Sequence, residues 1–444
     1  MKVGIIGGGA AGLAAALELT SRGHFAEVFE AAPFLGGQAS TFEVGGGQLE
    51  RGYHHLFVSD TDMVDLINEL GLGDSLEWLE SKVGLFHGGR IWDFATPMDL
   101  LKFSPLPFTQ RIRLGLWTFL LQKTRDWRKF EGVTAAQWTR DHMGEDAYRV
   151  IWEPMLRGKF GDYYDQVSMT WLWGKIYLRV ASRKRMQKER LGYPMCSFGR
   201  VFDACGERVE EQGGRVHVGA AVKRLNVVDG RAQGFVASVD GGVELDLEYD
   251  AVIATTPSYI FTRLAPDLPD DYRNVLESAR YLSAVLVILV LDRPLTSKYW
   301  LNVADRSLPF VGVIEHTNMI DRELYGGNHI VYLTNYPDRN SELYRKEPED
   351  LLEEYVPHLR KLNPDFSRDW ILEYHHHRVD GAQPINGVHY SERNIPDHRT
   401  PIKSLYLANT TQIYPEDRGT NYSVRMGRRV ARMVLEGWDR GTSQ

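Results

Sequence analysis

The hydrophobic positions at the start of the chain predict a strand, a helix and a second strand. Residues 2–6 form a short, β-branched apolar run suited to a buried parallel strand, and residues 13–19 continue as an alanine-rich helix. The AEVFEA segment that follows predicts a second strand, which ends at Glu30. Elements in this order favour a βαβ unit of a nucleotide-binding domain.

Similar patterns return far along the chain. Residues 199–225 predict a helix, a glycine turn and a strand, and residues 249–257 predict another buried strand. Residues 405–408 predict a last strand, followed by a loop and by a helix that begins near Asn421. The chain therefore returns to its first domain twice.

The rest of the chain predicts a second domain. The region from about residue 80 to 190 has helical periodicity and many Trp and Arg residues, and residues 278–335 predict the strands of a mixed sheet. A chain of 444 residues also exceeds what one hydrophobic core usually supports. We predict an α/β fold with two domains. The boundaries are 1–80, 193–260 and 395–444 for the discontinuous nucleotide-binding domain, and 81–192 and 261–394 for an α+β substrate-binding domain with a helical subdomain.

The turn after the first strand has the spacing Gly7-x-Gly9-x-x-Gly12. Gly7 permits the tight turn, Gly9 lets a pyrophosphate approach the backbone, and Gly12 lets the helix pack closely on the strand. Glu30 lies 18 residues beyond Gly12, where a carboxylate accepts hydrogen bonds from the adenosine ribose. The glycine spacing alone also occurs in turns without a ligand, but its place between these elements favours a bound dinucleotide. NAD and FAD both fit at this point.

Composition and charge limit the classes of binding partner that the protein can have. A formal charge of -7 argues against nucleic acid and favours a small-molecule substrate. Cys196 and Cys205 favour neither a disulfide framework nor a zinc site. Glycines and Glu18 interrupt the apolar start that a signal peptide needs, and the most apolar run, 284–291, is far shorter than the roughly 20 residues of a spanning helix. We expect a cytoplasmic protein.

A second glycine turn and the C-terminal helix favour FAD over NAD. Gly36 and Gly37 follow the second strand, where a nicotinamide-binding domain needs no further turn, and a helix beginning near Asn421 can meet the far end of a longer cofactor. With these segments the chain resembles the flavin amine oxidase superfamily, which includes monoamine oxidases, protoporphyrinogen oxidases, plant-type phytoene desaturases and, more distantly, UDP-galactopyranose mutases. The resemblance covers nearly the whole chain and implies a glutathione-reductase-like, discontinuous FAD-binding Rossmann domain.

The resemblance also implies which residues bind the cofactor. The pyrophosphate would lie on the first turn, the ribose on Glu30 and the adenine on the Val222 backbone. The flavin would lie near the second turn and at the N-terminus of the last helix, where Tyr422 and Ser423 present backbone N–H groups. The implied set is Gly7, Gly9, Ala11, Gly12, Glu30, Gly36, Gly37, Gln38, Val222, Asn409, Asn421, Tyr422 and Ser423. No cysteine lies near the last helix, so we predict a noncovalent FAD.

Two residues and the motif of the last helix depart from the family pattern. Gln38 stands where the family has an arginine, Asn409 stands where it has an acid, and the last helix keeps only Gly427 of its usual motif. The usual electronic environment of the flavin is therefore altered.

On the substrate side, the segment 48–72 resembles the G-x-H segment that desaturases and the mutase place beside the flavin, and His54 takes the histidine's place. His54 is our catalytic candidate, as a general base or as a modulator of flavin charge. A satisfied structural histidine is the equal alternative for His54, and it is our interpretation of His55. The resemblance also places Gln383 and Pro384 nearest the substrate face of the flavin.

Other candidate residues have simpler interpretations. Aromatic side chains and an arginine of the helical region could line a pocket, but such spacing is more often core: Trp152, Arg157, Trp171 and Trp173. Glu315 and His316 cannot both face one cavity on a strand, and the three histidines 375–377 alternate sides and make a poor chelate. We predict no metal site.

Two basic segments of the chain are candidates for surface helices. Residues 101–130 hold seven Lys or Arg, one acid and interleaved apolar residues. This mixture suits a helix on an anionic membrane surface, and a core-packed helix with solvated flanks is the alternative. The run at residues 183–190 predicts a solvated helix face.

The leading functional prediction is an FAD-dependent oxidoreductase, an oxidase or desaturase that takes hydride from a C–N or C–C bond onto flavin N5. One alternative is a flavin enzyme without net redox, of the UDP-galactopyranose mutase type, acting on a sugar nucleotide. Another is a flavin-binding protein without turnover. Fold likeness leaves the substrate and the electron acceptor undetermined.

Overall fold

The structure is a computed structural model that describes residues 1–181, 189–239 and 242–442. Its strands are β1 (Lys2–Ile6), β2 (Phe25–Phe29), β3 (Thr41–Val44), β4 (Gly47–Glu50), β5 (Leu76–Glu80), β6 (Val83–His87), β7 (Arg90–Asp93), β8 (Arg190–Pro194), β9 (Arg215–His217), β10 (Ala221–Val228), β11 (Arg231–Val239), β12 (Val243–Glu248), β13 (Ala251–Ala254), β14 (Tyr281–Leu291), β15 (Trp300–Val303), β16 (Gly312–Glu315), β17 (His329–Asn335), β18 (Ile371–Pro384) and β19 (Leu405–Leu407).

Its helices are α1 (Ala10–Thr20), α2 (Thr61–Glu69), α3 (Pro97–Lys102), α4 (Phe108–Lys123), α5 (Ala135–Met143), α6 (Glu145–Ala147), α7 (Glu153–Phe160), α8 (Met169–Ala181), α9 (Ser197–Glu211), α10 (Ser258–Leu264), α11 (Asp270–Ser278), α12 (Glu342–Arg345), α13 (Pro348–Leu359), α14 (Tyr390–Arg393) and α15 (Thr420–Thr442). A π-helical turn, Tyr148–Trp152, joins α6 to α7.

A parallel sheet of order β19-β13-β1-β2-β9 carries the predicted strand-helix-strand unit. The central strand β1 is buried on both faces, which explains its continuous apolar run. Val3 and Ile5 join the core under α1, α9 and α15, whereas Ile6 joins a core formed with β10, β11, α10 and α11. The predicted α/β fold class is confirmed.

Two glycines set how closely the helices of this domain approach. A Cβ on Gly12 would lie 1.9 Å from the carbonyl oxygen of Gly7, and a Cβ on Gly427 would lie 2.1 Å from the carbonyl oxygen of Ala11. Gly427 therefore lets α15 pack directly against the first turn of α1. This contact explains why the last helix keeps that glycine.

The second sheet is mixed, as predicted, with the order β18-β14-β17-β16-β15-β6-β7. Its β15 and β6 run parallel and its other neighbours run antiparallel. Helices α4, α5, α7 and α8 surround a separate core. In the part of the chain that the structure describes, no helix is long and apolar enough to cross a bilayer.

Candidate active site

The two glycine turns lie against each other at the N-terminus of α1. Gly9 is the N-cap residue of α1, and the Gly36 N–H donates to the Gly8 carbonyl at 2.9 Å. A Cβ on Gly37 would lie 3.2 Å from the Cα of Gly9, so the turns pack backbone to backbone. The fold therefore brings together two turns that sequence reasoning could identify only separately.

The space beyond this contact fits a pyrophosphate. The first hydrogen bond of α1 runs from the Leu13 N–H to the Gly9 carbonyl, so the N–H groups of Ala11 and Gly12 precede it. A Cβ on Gly9 would meet only the Cα of Gly37, at 3.9 Å, so the space over Gly9 is open to a ligand. Unused N–H groups at a helix N-terminus bind phosphate.

Glu30 and the start of β10 lie side by side at the edge of the parallel sheet. The Glu30 carboxylate accepts hydrogen bonds from the N–H groups of Gly8, at 2.7 Å, and Ala32, at 2.8 Å. The Ala220 N–H donates to the Glu30 carbonyl. Strand β10 begins at the next residue, and Val222 is its second residue. Each carboxylate oxygen keeps a second lone pair, so the ribose role of Glu30 remains open to it.

The three residues of the second turn have different roles. Gly36 is buried, and a Cβ there would lie 2.9 Å from the Phe202 ring, so this position serves packing. Gly37 is exposed beside Gly9. Gln38, which replaces the family arginine, donates through Nε2 to the carbonyl of Gly381 at 3.3 Å and so ties the turn to β18.

Asn409 has a structural role at the loops after β13 and β19. Its Oδ1 accepts hydrogen bonds from the N–H and the hydroxyl of Thr411, and its Nδ2 donates to the Thr256 carbonyl and to Ser258 Oγ. These four bonds use both lone pairs and both protons of the amide. The amide therefore joins the two loops, and the cofactor contact of Asn409 stays a prediction.

The N-terminus of α15 is the predicted flavin site. The Ser423 N–H donates to the Gly419 carbonyl at 3.0 Å, so this group is used within the helix, and the flavin contact of Ser423 stays a prediction. The N–H groups of Asn421 and Tyr422 precede this first bond of the helix. Asn421 is buried, its Oδ1 accepts from the Met63 N–H, and its Nδ2 has no partner among the described residues. An unsatisfied buried donor at a helix N-terminus fits an acceptor edge of FAD.

His54 is held in one tautomer. Its Nδ1 lies 2.5 Å from the Gly52 carbonyl, so Nδ1 carries the proton and Nε2 is an acceptor. Burial, helped by the charge of Arg418, lowers the pKa of His54 to about 4. A neutral histidine with so low a pKa is a weak proton acceptor near pH 7, which favours the modulator role over the general base. His55 instead bonds to the Tyr299 hydroxyl at 3.0 Å, as a structural histidine would.

Next to His54 in sequence, Tyr53 forms a pair of partly buried tyrosines with Tyr336, beside a lysine. The hydroxyls of Tyr53 and Tyr336 are 2.6 Å apart, and Nζ of Lys159 lies 4.1 Å from the centroid of the Tyr336 ring. Burial opposes ionisation of Tyr336, but Lys159 and Arg418 outweigh it and hold its pKa below the ordinary value. Burial also lowers the pKa of Lys159, to about 8, which leaves it mostly protonated near pH 7.

The loop before α15 completes this group. Nε of Arg418 donates to Gln383 Oε1 at 3.2 Å, and Gln383 Nε2 donates to Asp417 at 3.1 Å. Asp417 also pairs with Nζ of Lys175 at 2.5 Å. Lys175 and Lys159 outweigh the effect of burial and hold the pKa of Asp417 well below its usual range. Gln383, predicted near the flavin's substrate face, therefore links the end of β18 to this charged loop.

We call Lys159, Lys175 and Arg418 the cation cluster. Sequence reasoning missed its members, together with Tyr53, Tyr336 and Asp417. Arg418 and Asp417 directly precede the last helix, and that adjacency was a usable signal. Lys159 and Tyr336 carried none, because only the tertiary fold brings α7 to the end of β17.

The remaining candidates belong to the protein's framework. The tryptophans of the helical region are buried in its core, and Trp173 donates to the Thr124 carbonyl at 2.9 Å, so the core interpretation is correct. Arg157 pairs with Glu153 at 2.8 Å. Glu315 accepts hydrogen bonds from the 295–296 backbone, and His316 bonds to Tyr325, so the two face apart.

Among the described residues no cluster of His, Cys, Asp or Glu could hold a metal ion. Most of the basic run at 183–190 lies outside the described residues.

Comparisons with known proteins agree with this geometry. An oxidoreductase structure from Methanosarcina mazei has a TM-score of 0.74 and 20% identity, covering 98% of this chain and 100% of that one. A reduced UDP-galactopyranose mutase structure has a TM-score of 0.75 and 16% identity, covering 98% and 94%. The 15-cis-phytoene desaturase of Solanum lycopersicum is 25% identical over 92% of this chain and 73% of its own. Residues 10–435 match the family model of flavin containing amine oxidoreductases, so the chain belongs to that family of FAD-dependent oxidoreductases.

Proposed function

We propose that this oxidoreductase is a dehydrogenase that forms a double bond by removing hydrogen from a C–C or C–N bond of a lipophilic substrate. The observation that carries the proposal is the match to a desaturase over 92% of the chain, which includes the substrate-domain helices as well as the cofactor turns. When bound, FAD would supply the hydride acceptor at N5, and the second hydrogen would leave the substrate as a proton released to solvent.

The chain's own residues supply positioning and electrostatics. The free N–H groups at the start of α15 present partial positive charge, which favours negative charge on a reduced flavin. Neutral His54 offers Nε2 as an acceptor, and the Tyr53–Tyr336 pair offers hydroxyls beside it. Trp300 packs edge-on against Tyr53 at 5.0 Å and helps to exclude water. The proposal is thus supported by polar side chains that lie against aromatic rings.

The test is an anaerobic titration of purified protein. We expect near-equimolar FAD on heat denaturation, and stoichiometric loss of flavin absorbance when a polyene or an amine with an oxidisable bond is added. Turnover of a sugar nucleotide by prereduced protein without net change in flavin colour would favour the mutase alternative. Flavin that neither substrate nor dithionite can bleach would favour the binding protein.

We also propose that the α3–α4 region contacts an anionic membrane surface. The observation is an exposed apolar face whose residues are 40–62% exposed and lie close together in sequence: Met98, Phe108, Ile112, Leu116, Phe119 and Leu120. On α4 these positions recur every three or four residues, while Leu114 and Leu121 face the core. The surrounding exposed cations complement anionic lipid: Lys102, Lys123, Arg125, Arg128 and Lys129.

Vesicle sedimentation tests this surface. We expect binding to phosphatidylcholine vesicles containing phosphatidylglycerol, and little binding to phosphatidylcholine alone. The double variant Phe108→Ser/Leu116→Ser should lose binding, whereas Val228→Ser/Val243→Ser, at equally exposed positions on β10 and β12, should keep it. Equal binding by both double variants would overturn the proposal, as would a concentration-dependent dimer that buries the α4 face.

A further inference from the structure

Two cations of the cation cluster have no carboxylate partner. Lys175 is paired with Asp417, but within the described residues neither Lys159 nor Arg418 makes an ion pair, and Lys159 instead hydrogen-bonds to the Tyr336 side chain. Arg418 donates through Nε to Gln383, and its two terminal nitrogens have no hydrogen-bond acceptor among the described residues. Both side chains are partly shielded from solvent. Partly buried cations without a counter-ion are costly, which indicates that this site is built for an anion.

The acids nearby do not balance these charges. Asp417 is the carboxylate closest to the cluster and is engaged by Lys175 and Gln383. Asp60 also acts on Lys175, but its carboxylate accepts a hydrogen bond from the Phe57 N–H at 2.8 Å. Three cations thus face two acids, both of which already have partners. The excess charge lies at Lys159 and Arg418.

The arrangement also suits recognition of a planar or tetrahedral anion. Gln383 accepts from Nε and so fixes the Arg418 guanidinium, which leaves its outer edge for two parallel hydrogen bonds. Lys159 comes from α7 in the helical region and reaches Tyr336 from another side. The Arg418 charge acts on Tyr53, His54 and Tyr336, so these side chains share one region with it.

We propose that the substrate of this enzyme carries a carboxylate or phosphate group that binds between Lys159 and Arg418. This inference rests on the proposed function and refines it, because it specifies a lipophilic substrate with an anionic end. A pure hydrocarbon would leave Arg418 without a counter-ion and Lys159 with only the Tyr336 side chain as its partner. The anionic group would anchor one end of the substrate while the oxidisable bond lies over the flavin.

The experiment uses FAD-loaded protein and simple anions as probes. Benzoate and hexanoate represent carboxylates, and inorganic phosphate and pyrophosphate represent phosphates, each against chloride at equal ionic strength. Binding is measured by calorimetry and by perturbation of the flavin spectrum. We expect one class to bind, and Lys159→Met and Arg418→Met each to weaken binding by about tenfold or more. Lys223→Met, at an exposed lysine on β10, should leave binding unchanged.

The outcomes separate the possible failures. Arg418→Lys keeps the charge, so it should bind more weakly than the parent but better than Arg418→Met, and it serves if the methionine variant does not fold. Absence of binding by both classes, or equal binding by parent and variants, overturns the inference. So does a result in which the variants change only FAD affinity. FAD content and bleaching by substrate are measured on the same samples, so an enzyme that dehydrogenates a neutral polyene without binding anions keeps the proposed function and loses this inference.

Discussion

At the residue scale, single positions have tasks that their neighbours in sequence do not share. Gly36 packs against Phe202, whereas Gly37 faces Gly9 across the cofactor turn. Asn409 is saturated by four hydrogen bonds within the protein, whereas Asn421 keeps an unsatisfied amide N–H group. Both are buried asparagines in the C-terminal segment. Only their hydrogen bonds show that the Asn409 amide is fully used within the protein, whereas the Asn421 amide keeps a donor that could bind a ligand.

Gly9→Ala should weaken FAD binding by about tenfold or more without unfolding the protein. The new Cβ would meet no protein atom closer than 3.9 Å, but it would enter the space through which a phosphate approaches the α1 N–H groups. FAD retention on gel filtration and the unfolding temperature of the apoprotein check both parts. Gly115→Ala, whose Cβ would lie 3.6 Å from Leu100 on the surface of α4, is the matched control. Unchanged FAD affinity in Gly9→Ala would place the pyrophosphate elsewhere.

Glu50 on β4 should make the stability fall as pH rises. Burial raises the pKa of Glu50 to about 7, although its carboxylate accepts hydrogen bonds from the Tyr193 hydroxyl, at 2.9 Å, and the Phe198 N–H, at 3.0 Å. Its pKa in the unfolded chain is about 4.3. The stability that protonated Glu50 contributes is therefore complete below about pH 4.3 and is lost as pH rises through about 7.

Urea unfolding at about pH 5 and about pH 8 measures this contribution, which is on the order of 3 kcal/mol. Burial also raises the pKa of Glu315, to about 7, and of Asp60, to about 6. It lowers the pKa of His54 and of His316, which act in the opposite direction, so the slope of the parent is the sum of these effects. Glu50→Gln should remove only its own share of the pH dependence. Glu43→Gln, at an exposed position on the adjacent strand β3, should retain the parent's slope. A Glu50→Gln slope equal to the parent's would contradict the assignment.

At the element scale, the cofactor site depends on how helices meet rather than on any one motif. The N-termini of α1 and α15 point into the same region because α15 packs on the first turn of α1. That contact requires Gly427 and places the N–H groups of Asn421 and Tyr422 within the same domain as the two glycine turns.

Gly427→Ala should lower the free energy of unfolding by about 1–3 kcal/mol and weaken FAD binding with it. Alanine is the better helix former, by about 1 kcal/mol, but its Cβ would lie 2.1 Å from the Ala11 carbonyl oxygen, so overpacking prevails. Chemical denaturation and FAD titration check the two effects. Gly115→Ala gains the same helix propensity without that contact and should not lose stability. A Gly427→Ala variant as stable as the parent would show that α15 can shift without cost.

At the scale of the whole molecule, FAD should join segments that are distant in sequence. The implied contacts come from the 7–12 and 36–38 turns, the start of β10 and the start of α15. A ligand that binds only the folded state stabilises it, by about 4 kcal/mol when its concentration is a thousandfold above Kd. Removal of FAD should therefore lower the unfolding temperature, and added FAD should restore it, as scanning calorimetry would measure. Restoration by NAD instead would mean that the flavin half of the site is not formed.

The sequence by itself determined the local part of this protein. The strand, glycine turn, helix and strand of residues 2–30 are adjacent in the chain, so hydrophobic period and glycine spacing were enough to predict them and to favour a dinucleotide. The start of α15 and the mixed sheet followed from the same periodicity. The tertiary structure alone decided which polar groups lie together near His54. Tyr53, Lys159, Tyr336 and Arg418 come from four separate elements, and no periodicity couples positions so far apart. It also decided which protein groups hydrogen-bond to the Asn409 amide and the Ser423 N–H, because the partner of a hydrogen-bonding group is set only after the chain has folded.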